Sequence, residues 1–209
     1  GDVSYDPSRL DDAGWRAVGE RLNTILSPAE LGSVLQSSQY AHYTSETVTR
    51  GIWSALDRFG FKGGKILEPG MGIGLFPITA PADVLANSHY TGIELDRETA
   101  RTAKRLLPRE TVLNADFVKA RFPDAFFDLA IGNPPFANIK ITEDPAYRAH
   151  RFSLHDYFFA KSLDKVRPGG VLAFVTSRYT MDKLDPKARA YLAERADLIG
   201  AIRLPNTAF

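Results

Sequence analysis

The chain has 209 residues with 44% hydrophobic content, enough to bury one substantial core and too few to expect a second full domain. It contains no cysteine, which excludes disulfides, thiolate metal sites and cysteine nucleophiles, including the covalent route to 5-methylcytosine. The formal net charge of +1 shows no overall basic excess, so any grip on phosphates must come from a local patch.

No apolar run approaches the ~20 residues of a membrane span, and the first residues lack the basic-then-apolar layout of a signal peptide. A cytoplasmic chain with no membrane partner is expected. Over residues 10–36 apolar positions recur at helical spacing, and Ser27-Pro28-Ala29-Glu30 carries the N-cap, N1 proline and N3 glutamate of a capping box. A second helix is expected over 45–59, with Val48, Ile52, Leu56 and Phe59 on one stripe and Gly60 as its stop. Residues 1–60 therefore read as a helical extension packing on a core formed by 61–209.

Beyond Gly60, short apolar runs alternate with amphipathic stretches. Strands are expected at 65–68, 90–94, 111–114, 127–132, 171–176 and 198–204, and helices at 97–106, 154–166 and 187–195. Such alternation implies βαβ units, right-handed crossovers and a mostly parallel, doubly wound α/β sheet. Ligands of such sheets sit at the carboxyl ends of the strands.

The first strand ends in Glu68-Pro69-Gly70-Met71-Gly72-Ile73-Gly74, a turn that lets backbone approach a ligand closely. Alone, it reads equally as a tight strand-to-helix turn. The second strand, however, ends in Gly92-Ile93-Glu94, a carboxylate about 20 residues further on that can accept from ribose hydroxyls. A dinucleotide fingerprint would want a third glycine where Leu75 stands, and has no use for Glu68; that acid suits a cationic sulfonium amino acid better than a pyrophosphate. Asp96 reads as a helix N-cap. At the third strand end, Asp116 can accept from an adenine amino group and Phe117 can cover the ring, the duller alternatives being a loop cap and a core residue.

Directly after the fourth strand comes Asn133-Pro134-Pro135-Phe136. With this motif in this place, and Tyr40-Ala41-His42-Tyr43-Thr44-Ser45 ahead of the glycine turn, the chain resembles the gamma class of N6-adenine DNA methyltransferases. Segments such as His155-Asp156-Tyr157-Phe158-Phe159-Ala160-Lys161, Val166-Arg167-Pro168-Gly169-Gly170 and Ile199-Gly200-Ala201-Ile202-Arg203-Leu204-Pro205-Asn206 are similar to methyltransferase domains of large helicase-like proteins of mobile elements and phages.

The resemblance implies a Rossmann-like class I fold, S-adenosylmethionine as cofactor, DNA as partner, no metal, and a helicase-like region of a longer parent chain, of which this sequence would be a piece. It implies cofactor contacts at Tyr40, Tyr43, Thr44, Glu68, Gly70, Gly72, Gly74, Glu94, Leu95, Asp116, Phe117 and Asn133, and a catalytic loop of Asn133, Pro134, Pro135 and Phe136. An exocyclic amine is a poor nucleophile while its lone pair is delocalised into the ring. Two acceptors, the Asn133 side-chain carbonyl and the Pro134 backbone carbonyl, favour its pyramidal form. The prolines fix φ, and Phe136 stacks on the extruded base, which is worth roughly 1–3 kcal/mol.

Lys140, Arg148 and Arg151, with His150, lie in the polar loop after the motif, which reads either as a phosphate contact or as a solvated surface loop whose Glu143 and Asp144 offset the basic residues. Phe209 corresponds in the resemblance to a second aromatic sandwiching the base. His42 reads as a local hydrogen-bonding residue, Tyr157, Phe158 and Phe159 as core, and Asn206 as the start of a turn. Competing readings are methylation of an RNA guanine amino group or a protein glutamine, and a non-catalytic cofactor- or DNA-binding module.

Overall fold

Consecutive residues of the central strands supply two separate cores. In β1 (Gly64–Pro69), Ile66 and Leu67 are both fully buried but belong to different apolar clusters, and in β4 (Phe127–Gly132) Leu129 and Ile131 join the first while Ala130 joins the second. A strand buried on both faces needs helices above and below it. The computed structural model describes residues 13–28, 31–32, 44–137 and 139–205. It divides into two compact units, Gly1–Ala41 and His42–Phe209. The first contains helix α1 (Ala13–Ile25); the second contains the strands and the other helices named below.

The sheet is five-stranded and parallel, in the order β3-β2-β1-β4-β5, with β2 at Ser88–Glu94, β3 at Thr111–Asn114 and β5 at Val166–Phe174. The chain works outward from β1 in one direction and then returns to add β4 and β5 on the other side. The reversal leaves a crevice at the carboxyl ends of β1 and β4, where a doubly wound sheet binds its ligands.

One face is covered by α2 (Glu46–Arg58), α3 (Leu75–Thr79) and α4 (Ala82–Ala86), whose Trp53, Leu56, Phe76 and Val84 pack with Ile66 and Tyr90. Trp53 also donates its indole N–H to the Phe76 carbonyl at 2.9 Å. The other face is covered by α6 (Leu154–Lys165), which brings Tyr157, Phe158 and Ala160 against Leu67, Phe127 and Ala130. Helix α5 (Arg97–Leu106) packs Ala100 and Ala103 with Met71 and Val112, and it opens on Asp96, which accepts from Thr99 N–H at 2.8 Å as the N-cap reading requires.

Five of the six expected strands form. The sixth does not: residues 198–204 have no regular structure, and Leu198, Ile199 and Ile202 are 70%, 60% and 85% exposed. An apolar run becomes a strand only when a neighbouring strand takes up its hydrogen bonds, and among the described residues none pairs with this one. The expected start of β5 at residue 171 also changes, because α6 ends at Lys165 and pairing begins at once with Phe127↔Val166, resuming at Leu129↔Val171 after a register shift. Of the expected stripe of α2, Leu56 is buried and Val48 and Ile52 pack half-buried against the same cluster, whereas Phe59 is 58% exposed and Thr49 and Trp53 are buried in addition. Short helices α3, α4, α7 (Tyr179–Asp182) and α8 (Lys187–Ala193) complete the described unit; of these only α8 falls on an expected helix. The capping-box residues Ala29 and Glu30 lie outside the described residues. Among the described residues no helix is long and apolar enough to cross a membrane.

Candidate active site

Glu68 closes β1 and is 1% exposed. Its Oε2 accepts the Tyr90 hydroxyl at 2.6 Å, and among the described residues no cation pairs with it. Burial pushes its carboxyl up to about 8; the Tyr90 hydrogen bond only partly offsets this, and the nearby Glu94 charge adds to it. A buried carboxyl in that state has its charge suppressed until a cation is brought beside it.

The turn that follows is held open by backbone geometry. Gly70, Gly72 and Gly74 all have φ in the left-handed region, at 71°, 58° and 89°. At Gly72 a Cβ would meet nothing within 4 Å, so the backbone there faces open space. Glu94, at the end of β2, fixes this cradle by accepting from Gly72 N–H at 2.9 Å through Oε2, and from Asp96 N–H at 2.8 Å through Oε1. Burial raises its pKa against those two bonds. The carboxylate's four lone-pair sites are not exhausted by these bonds, and a ribose hydroxyl is the kind of donor it can still take. Asn114, closing β3, donates to the carbonyls of Glu94 and Leu95 at 3.0 Å each and ties the second and third strand ends together.

The Asn-Pro-Pro-Phe loop leaves β4 beside this turn. Gly132, at φ 152°, is the close-approach point, since a Cβ there would stand 3.4 Å from Glu68 Cγ and 3.6 Å from the Pro69 carbonyl. One step further, Pro135 Cδ lies 3.5 Å from where a Cβ on Gly70 would be. Asn133 and Phe136 are half-buried, Pro134 is buried and Pro135 is exposed. Residues distant in sequence are thus joined at the crevice between β1 and β4.

The structure brings Glu68, the glycine turn, Glu94 and the residues of the Asn-Pro-Pro-Phe loop together. Leu95 stands 70% exposed next to Glu94, and Thr44 is buried ahead of α2. Asp116 is half-buried; its Oδ1 accepts from Val118 N–H at 2.8 Å, the loop-cap geometry that competes with an adenine contact. Phe117 is 3% exposed and packs with Tyr157 and Phe158, so its ring is a core residue here. Tyr40, Tyr43 and Phe209 lie outside the described residues, as does His42.

The polar loop differs from the solvated reading. Ile141, Tyr147, Phe152 and Asp144 are buried; Asp144, 5% exposed, accepts from the Tyr157 hydroxyl at 2.7 Å and from Lys161 Nζ at 3.0 Å. Arg148 braces the loop through Nε to the Thr142 carbonyl at 2.8 Å, while Lys140 and Arg151 are exposed. Lys161, 2% exposed, also donates to the carbonyls of Phe117, Val118 and Ala120. Sequence reasoning missed this cluster; a lysine inside the aromatic run of α6 was the signal that could have marked it.

A suppressed carboxylate awaiting a cation, an open glycine cradle and an acceptor for a diol fit S-adenosylmethionine, whose amino-acid part is cationic and whose nucleoside carries a ribose. Comparison with known proteins agrees. Residues 86–209 match the family model described as Eco57I restriction-modification methylase. The chain is 29% identical over 173 residues to Defense against restriction protein B of Escherichia phage P1, covering 80% of this chain but 8% of that protein. It is 27% identical over 184 residues to rRNA N(6)-adenosine-methyltransferase metl-5 of Caenorhabditis elegans, covering 83% and 80%. The fold matches the type I restriction-modification methyltransferase subunit of Streptococcus thermophilus with a TM-score of 0.59 at 19% identity, over 73% of this chain and 38% of that one. The sheet is therefore that of a Rossmann-like methyltransferase, S-adenosylmethionine is the cofactor, and the chain belongs to the Eco57I restriction-modification methylase family.

Proposed function

We propose that this chain transfers a methyl group to the N6 amino group of adenine in DNA. One observation carries the reading: the Asn-Pro-Pro-Phe loop emerges against the glycine turn, with Gly132 beside Glu68 and Pro135 beside Gly70. The family match to a restriction-modification methylase supports DNA as the substrate, and the similarity to a relative named for adenosine N6 supports the atom.

Bound S-adenosylmethionine supplies an electrophilic methyl group on a sulfonium. Glu68 would face its cationic amino-acid portion, the backbone from Gly70 to Gly74 would cradle it, Glu94 would accept from the ribose hydroxyls, and Asp116 would reach the adenine amino group. Asn133 Oδ1 and the Pro134 carbonyl would accept from the two N–H groups of the target amine, turning its lone pair out of the ring and toward the methyl group. Phe136 would stack on the extruded base. The methylated amine loses its extra proton to water, so no general base is required, and positioning and electrostatics carry the rate. Lys140, Arg148 and Arg151 would meet backbone phosphates, and a helicase-like region of a longer chain would deliver the DNA.

Incubation with labelled cofactor and duplex DNA, followed by digestion to nucleosides, should yield N6-methyladenine. Label found only in RNA or protein rejects the reading. The similarity to an rRNA methyltransferase makes structured RNA the second substrate to test, in direct competition with the duplex.

A further inference from the structure

The carboxyl edge of the sheet carries two unlike neighbourhoods. At the ends of β1 and β2 and just after β3 stand carboxylates: Glu68, Glu94 and Asp116. Beyond β4 and β5 lies a cavity of about 250 Å³ whose walls include Lys140, His150, Arg151, Lys183 and Lys187.

The backbone that carries these residues is fixed by its surroundings. Lys140 pairs with Ser153 in an isolated antiparallel bridge, reinforced by Ile141 N–H to the Phe152 carbonyl at 2.9 Å. Arg151 closes the 3₁₀ turn Arg148–His150 in a left-handed conformation, φ 48°, that a non-glycine residue adopts at a cost. The ring of His150 stacks on Phe152 at 4.9 Å and 4°. Lys187 opens α8, its N–H bonded to Asp185 Oδ1 at 3.1 Å.

Two acids also line the cavity. Asp156, 3% exposed, already takes the Ser153 hydroxyl and Lys183 Nζ, the latter at 3.1 Å, so these two charges offset each other. Asp185 shares the lining with Lys140, Arg151 and Lys187, and among the described residues those three form no ion pair. The cavity is left with two net positive charges and a ring of donors, the chemistry of an anion site. Its position selects the anion. Lys140 follows Phe136 by four residues, so its backbone is no more than about 14 Å from the loop that would receive the base, within reach of the phosphates flanking an extruded nucleotide.

We propose that this cavity binds a backbone phosphodiester of the target DNA strand and so sets the register of the strand over the Asn-Pro-Pro-Phe loop. The inference rests on the nucleic-acid reading of the active site and adds Lys183, Lys187 and His150 to it. Phosphate contacts fix position without reading sequence.

The test is duplex binding by the full chain with S-adenosylmethionine present, followed by anisotropy from about 50 to 200 mM salt. Lys140→Gln with Lys187→Gln should weaken binding about tenfold and lower the slope of log affinity against log salt by about one, the loss of a single neutralised phosphate, with cofactor affinity unchanged as the sign of an intact fold. Lys104→Gln with Arg105→Gln removes the same charge from α5 and should have little effect. Equal losses in both pairs, no loss in the first, or a loss confined to RNA overturns the proposal. Inorganic phosphate that shifts the His150 ring resonances while duplex DNA does not would assign the cavity to a free anion and overturn it as well. Transfer to adenine by the wild type together with unaltered DNA binding by the first pair sinks the cavity alone; absence of both transfer and DNA binding in the wild type sinks the active-site reading with it.

Discussion

Glu68 is the residue whose surroundings make the sharpest demand. Its carboxyl stays largely protonated at neutral pH while the site lacks a cation, because burial outweighs the Tyr90 hydrogen bond. A cation in the glycine cradle favours the ionised form, so binding S-adenosylmethionine near pH 7 should release close to one proton. Calorimetry in buffers of different ionisation enthalpy reads that number directly, and a value near zero would place the cationic group away from Glu68. Glu68→Gln should abolish the release and weaken cofactor binding by at least about tenfold, the loss of one charge-assisted contact. Asn133→Ala is expected to separate binding from chemistry: single-turnover transfer should fall about a hundredfold or more, as when one preorganised polar group is removed from an active site, with cofactor affinity nearly unchanged. Parallel losses of affinity and rate would instead make Asn133 a cofactor contact. Residue types at these places were legible because chemistry restricts them: few side chains can be a buried acid or a paired acceptor.

At the scale of elements, the loop after the catalytic motif is fastened to the sheet from beneath. Lys161 on α6 joins three carbonyls following β3 to Asp144 in that loop, with Tyr157 closing the contact. Lys161→Met should destabilise the fold by about 3–5 kcal/mol, since it strands a buried carboxylate. Adding Asp144→Asn should recover part of that loss, and denaturant melts of the two single variants and the double variant would measure the coupling. Strict additivity would show that the two groups act independently. Helix α6 was expected from its apolar spacing, but the lysine's role was not, because the three carbonyls and Asp144 lie 17 to 44 residues away in sequence. The burial of Asp144 was hidden for the same reason: a carboxylate beside basic residues looks solvated until a helix is laid over it.

For the molecule as a whole, stability should depend on pH in a direction set by these buried groups. Glu68 has a folded pKa near 8, above its unfolded value of 4.5, so its contribution is complete below 4.5 and is lost as pH rises toward 8. His155 works the other way, burial holding it below 6.5, so it favours the fold increasingly up to that pH and no further. Between pH 6.5 and 8 the Glu68 trend should therefore stand out: the denaturation midpoint of the cofactor-free chain should fall, and in Glu68→Gln the fall should largely vanish. An unchanged slope in the variant would assign the effect to another group. The sequence by itself determined the alternating α/β order, four strands nearly to the residue, and the acids, glycines and prolines at their ends, because periodicity and turn chemistry are local. Only the tertiary structure decided that residues 198–204 stay out of the sheet, that Phe117 and Asp144 are buried, and that Lys140, Arg151 and Lys187 share one cavity, because pairing partners, burial and field are set by segments distant in the chain.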